Sequence, residues 1–94
     1  MKQKKWWVGL LSALCAVTSV VIPDSATSID DDAFGKCSSL TSVYYKGTAE
    51  DWGKISIYSN NTALTNATRY YYSETQPTTT GNYWHYVDGV PTVW

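Results

Sequence analysis

The residues able to do chemistry are few in this chain of 94 residues, and they are scattered. His85 is the single histidine. With no cysteine or second histidine at ligand spacing, it offers no zinc site. Ser73, His85 and Asp88 supply the side-chain types of a nucleophile, a base and an orienting acid. No spacing pattern links them, and neither a Gly-x-Ser-x-Gly elbow nor a phosphate-binding loop is present. Asp30, Asp31 and Asp32 form an acidic run, but it lacks the spaced ligands and turn glycine of an EF-hand loop. Acids there suit the positive end of a short helix instead. Asn60-Asn61-Thr62 and Asn66-Ala67-Thr68 have the form of glycosylation sequons. The sequence therefore predicts no enzyme, no metal site and no cofactor.

Aromatic rings are the one abundant resource, with 8 Tyr and 5 Trp. Such rings fill cores, and exposed ones bind ligands through their flat faces. Tyr70, Tyr71, Tyr72, Tyr83 and Trp94 are the candidates for a ligand surface, with core and cap packing as the competing role. Charge argues against nucleic acid. Setting aside Lys2, Lys4 and Lys5 moves the formal charge from −1 to −4, so the body is mildly acidic and has no basic footprint.

The elements that would position these residues follow a simple order. Lys2, Lys4 and Lys5 precede an uncharged, mainly apolar run from Trp6 to Ala16, which reads as a secretion signal over residues 1–16. The run is too short for a bilayer span, which takes roughly 20 apolar residues. Cleavage after Cys15 or after Ser19 is expected, giving a mature start between Ala16 and Val20 and no stable membrane span afterwards. Cys37 is then left without a partner and reads as a small buried packing residue, with no disulfide.

Val17-Thr18-Ser19-Val20 recurs as Leu40-Thr41-Ser42-Val43, a spacing of 23 residues within the range of leucine-rich repeats. Between them, Pro23-Asp24-Ser25 is turn chemistry, and Asp30 to Cys37 suits about one helical turn. Ile22, Ile29, Phe34, Cys37 and Leu40 are the expected core of this unit. A unit of this kind buries its apolar face only by stacking on a neighbour. Residues 17–46 form the expected repeat.

Residues 47–94 are expected to close it. Thr48 is a candidate N-cap, with Trp52 and Ile55 sharing the inner face of the helix that follows. Residues 60–63 suit a second short turn, with Leu64 and Ala67 pointing inward. Residues 69–73 are strand-like by composition, and 76–81 form a Thr-rich loop. Asp88-Gly89 between two aromatic and β-branched runs predicts a hairpin over 83–94, pairing Val87 with Val90 and Trp84 with Val93. Trp84, Tyr86, Pro91 and Val93 are expected on the core side, and Pro91 places this strand at an edge.

The stretch Val17 to Val43 resembles the BspA-like leucine-rich repeats of secreted and surface proteins of anaerobic bacteria. Ile22-Pro23, Ile29, Ala33-Phe34 and Cys37 stand in the register of that repeat, while Ala26 and Asp30 depart from its usual Val and Gly. The segments at 44–55, 66–77 and 81–94 resemble a C-terminal segment found in the same family. The resemblance implies a non-enzymatic protein, secreted or at the cell surface, that binds other proteins in adhesion. It carries over no catalytic residues. The expected fold is α+β and β-rich, a short leucine-rich-repeat solenoid fragment with a C-terminal β-hairpin cap. Two alternatives stand beside it: a carbohydrate-binding module using Tyr70, Tyr72, Tyr83 and Trp94, and the end of a longer repeat array. Stacking on further repeats or self-association belongs with the second alternative.

Overall fold

A computed structural model describes residues 15–94. The leader reading of residues 1–14 lies outside the described residues. The described residues are α+β and β-rich, with a curled five-stranded sheet, a second sheet of two short strands and two short helices among them. The main sheet is built from β1 (Ser19–Ile22), β3 (Ser42–Tyr45), β5 (Thr68–Tyr72), β6 (Tyr83–Val87) and β7 (Val90–Val93), in the order β1-β3-β5-β6-β7. All pairs are parallel except β6 with β7. The small sheet pairs β2 (Ser28–Ile29) with β4 (Ser56–Ile57), also in parallel. The sequence echo at 17–20 and 40–43 has a structural counterpart. Ser19 pairs with Ser42 and Val20 with Val43, 23 residues on.

Alternation along these strands separates two faces. Val20, Ile22, Val43 and Tyr45 point inward and are buried. With Ile29, Phe34, Cys37, Leu40, Trp52, Ile55 and Leu64 they make one core. Parallel sheets are usually covered on both faces. Here the outer face is roofed by its own rings. Tyr44 stacks on Tyr70 at 5.5 Å between ring centroids, and Trp84 lies against Tyr44 and Tyr72. Trp84 is fully buried there, and its indole N–H reaches across β5 to donate to the Tyr45 carbonyl at 2.7 Å.

Two connections differ from expectation. Residues 31–36 form successive tight turns rather than a helical turn. Their bonds run back three residues, from Ala33 to Asp30, Gly35 to Asp32 and Cys37 to Phe34. The cause is Asp32 at φ 62°, a left-handed residue that an α-helix does not accommodate. The second short turn lies slightly later than expected, as α2 (Thr62–Asn66). By contrast α1 (Ala49–Trp52) starts where the sequence places it, with the Asp51 N–H donating to Thr48 Oγ1 at 3.1 Å.

Cys37 was expected to stand alone, and the structure corrects this: it forms a disulfide with Cys15. Cys15 packs against the core. The disulfide and the cleavage expectation exclude each other, because a mature start between Ala16 and Val20 would remove one sulfur of the bond.

The hairpin has the expected register, Trp84 with Val93, His85 with Thr92, Tyr86 with Pro91 and Val87 with Val90, and β7 is an edge strand. Its facing differs from expectation, since the Trp84 side of the hairpin lies on the outer sheet face and not against the main core. Trp84 is buried, whereas Tyr86 and Val93 are 42% and 44% exposed. The hairpin joins β5 edge to edge through β6 instead of lying across it, so only the residue nearest β5 is covered. At the turn, Asp88 and Gly89 have φ 53° and 79°, the signs a type I′ turn requires. A Cβ added at Gly89 would meet nothing within 4 Å, so its substitution costs backbone strain alone. Gly89→Val is expected to cost about 1–2 kcal/mol, while Gly89→Asn, which tolerates the left-handed region, should cost less. Paired thermal melts check this; equal losses for Val and Asn would show that the turn's φ is not the cause.

Tyr45 supplies a pH dependence. Burial raises its phenol pKa above the ordinary value, and the negative charges of Asp51 and Asp24 and the neighbouring Tyr71 add to the shift. The folded chain thus holds this proton more tightly than the unfolded chain. The contribution to stability is complete below the unfolded phenol pKa of about 10 and is lost as pH rises beyond it. Melting temperature should fall as pH rises above about 10, and less steeply in Tyr45→Phe. Identical slopes would exclude Tyr45 as the source.

Candidate functional site

The outer sheet face and the end of the sheet beside β7 gather most of the partly exposed aromatic rings, while Tyr58, 54% exposed, stands apart after β4. On the face, Tyr72 sits beneath the Lys46 ammonium, 4.6 Å from the ring centroid, and Tyr86 lies 6.0 Å from the same nitrogen. A cation over ring faces holds the lysine in place while leaving its charge available. Arg69 occupies the inner side of β5. Its guanidinium lies 4.7 Å from the Trp52 ring, and its Nε–H donates to the Tyr71 hydroxyl at 2.9 Å. Tyr71 also packs edge-on against Tyr45, so it belongs to the core boundary and not to a ligand surface.

At the sheet end lies a shallow groove of about 490 Å³, walled by Tyr70, Tyr83, Val93 and Trp94 and by the loop at 76–82. Of the five residues proposed from sequence as a ligand surface, Tyr70, Tyr83 and Trp94 meet at this groove, while Tyr72 stands apart under Lys46 and Tyr71 lies at the core boundary. Trp94 is held on two sides. Its ring stacks on His85 at 3.7 Å and 11°, and its N–H donates to the Ser73 carbonyl at 2.8 Å. The Tyr83 hydroxyl pairs with Thr79 Oγ1 at 2.9 Å and pins the loop. The loop passes close over the Tyr83 ring at Gly81, where an added Cβ would lie 3.0 Å from Cε2. Gln76, Thr79, Thr80 and Asn82 add amide and hydroxyl groups, and no charged side chain lines the groove.

The Ser73 hydroxyl donates to the Thr75 carbonyl, and the His85 ring is stacked on Trp94. The Asp31 carboxylate accepts the Ser59 N–H at 2.8 Å and so joins the turns at 31–36 to the chain after β4. Among the described residues, no group of three or more His, Cys, Asp or Glu is placed to hold a metal ion. The residues named from sequence as core, Ile22, Ile29, Phe34, Cys37, Leu40 and Trp52, are all buried.

Sequence reading passed over Asn61, the one buried polar residue among those described. Its Oδ1 accepts the Phe34 N–H at 2.8 Å, and its Nδ2 donates to the carbonyls of Asp30 at 2.9 Å and Tyr58 at 3.0 Å. The signal available in the sequence was slight, an asparagine just before a short helix. No helix among the described residues is long and apolar enough to cross a membrane. No protein-family model matches the chain, and neither a curated protein nor a solved structure matches it.

Proposed function

We propose that this chain is a non-enzymatic, extracellular binding module of leucine-rich-repeat type, which attaches to other proteins through the outer face of its main sheet. The carrying observation is the aromatic roof of that face: Tyr44, Tyr70, Tyr72 and Tyr86 around the buried Trp84, with Lys46 at its border. Aromatic and cationic side chains on a rigid support are the usual anchors of protein interfaces. The parallel pairing of β1 with β3 at the repeat spacing supports the solenoid reading, in which the hairpin serves as the cap. A disulfide between Cys15 and Cys37 suits an oxidising compartment, in keeping with export to the medium or the cell surface.

The test is quantitative binding of the intact chain to a panel of purified extracellular and cell-surface proteins, repeated with Tyr72→Ala and Lys46→Ala. A specific partner whose affinity falls about tenfold or more in these variants supports the reading. Absence of any partner, or indifference to both substitutions, ends it. The export half is read separately, by N-terminal sequencing of exported material with thiol titration. A chain beginning at Met1 argues against a cleaved leader. A start beyond Cys15 with a free Cys37 thiol restores the earlier cleavage expectation at the expense of the disulfide.

A further inference from the structure

We propose that the groove between the 76–82 loop and the hairpin is a second binding site, for a neutral saccharide, adjoining the outer sheet face and sharing only Tyr70 with its aromatic roof. The choice of ligand rests on the chemistry of the walls. Tyr83 and Trp94 offer ring surface, Gln76 and Asn82 offer amides that both donate and accept, and Thr79 and Thr80 offer hydroxyls. A ligand that satisfies all three must carry apolar C–H faces and many uncharged hydroxyl groups together. Sugars do. An ionic ligand would find no opposite charge among these side chains, and its desolvation would go uncompensated. The volume of about 490 Å³ falls in the range of small-ligand sites, about 300–1,000 Å³.

The ring best placed to receive a sugar is held on two sides. One face of the Trp94 indole is covered by His85, and its only donor is already used on the Ser73 carbonyl. The side chain is nonetheless 42% exposed. A hydrogen-bonded, stacked ring at a groove wall is oriented before the ligand arrives, which lowers the ordering cost of binding. The loop that forms the other wall is likewise fixed, through Thr79 to Tyr83. Neither arrangement adds to the main core, whose members lie elsewhere.

The intact, oxidised chain is applied to an array of neutral oligosaccharides comprising glucans, mannans, galactans and N-acetylhexosamine polymers, with acidic glycans as controls. Binding to at least one neutral class is expected, with loss of about tenfold or more in Trp94→Ala and in Gln76→Ala. Trp94→Phe, which keeps a flat ring, should retain most of it. Gln76 lies on an exposed loop, so its variant reports on binding even if Trp94→Ala disturbs the hairpin. Tyr72→Ala and Lys46→Ala, which test the outer face, should leave saccharide binding intact, so failure at either surface is told apart from failure at the other. The proposal is overturned if no neutral glycan binds, if acidic glycans bind better, or if binding survives both Trp94→Ala and Gln76→Ala.

Discussion

Phe34→Ala is expected to lower stability by about 3–5 kcal/mol, the cost of emptying a large aromatic position in a packed core. Phe34 is 1% exposed and sits among the turns at 31–36, within the same cluster as Ile22, Ile29, Cys37 and Leu40. Its backbone is fixed as well, since its N–H donates to Asn61 Oδ1 and its carbonyl accepts from the Cys37 N–H. The surrounding residues therefore have little freedom to collapse into the space, which favours the upper part of the range. A domain's whole stability is about 5–15 kcal/mol, so the variant should unfold at markedly lower denaturant concentration or fail to fold. Chemical denaturation of the oxidised chain, compared with Phe34→Leu, is the measurement. A loss near 1 kcal/mol would mean that Phe34 is not packed as described.

Asn61→Ala should cost about 3 kcal/mol, because it leaves several backbone groups without partners in a dry place, at about 1–3 kcal/mol for each. Asn61 is 3% exposed, and it is the knot where the turns at 31–36 meet the chain after β4. One side chain joins residues up to 31 positions apart. Asn61→Asp is the sharper variant. It keeps an acceptor for the Phe34 N–H but replaces the amide donor with a charged oxygen facing the Asp30 and Tyr58 carbonyls. It should be at least as damaging as alanine at neutral pH, and should recover in part under acid, when a protonated carboxyl regains one donor. Denaturation midpoints for both variants at two pH values decide the point. Mild effects in both would mean that water replaces the amide.

These two positions also show what the sequence could reveal. Phe34 was legible because it sits at a fixed place in a repeating apolar pattern, and the pattern is local. The hairpin was legible for the same reason: Asp88-Gly89 demands one turn, and the turn sets the register. Asn61 was not, since its partners are backbone groups far along the chain and leave no mark on the residues nearby. The pairing of Cys15 with Cys37 was not legible, because an apolar run absorbs a cysteine without altering its pattern and nothing local marks its partner. The loss of helix at 31–36 was hidden in the middle aspartate, which adopts a backbone conformation that composition does not announce. The groove was half legible. Its rings could be named from the aromatic runs, but their meeting depends on how the 76–82 loop folds back.

The order of strands in the main sheet has a consequence for solvent exchange. β3, β5 and β6 each have a hydrogen-bonded neighbour on both sides, whereas β1 and β7 have one. Amide protons in the middle strands can swap with deuterium only when a neighbouring strand parts, and those of the terminal hairpin need only a local opening. Exchange should therefore be slowest in β3 and quicken outward, fastest of all along β7, where Val90 and Val93 are also exposed. Trp94 and Val93, which wall the groove, belong to this readily opened edge. Protection there reports directly on whatever occupies the groove, while the centre of the sheet stays unmoved.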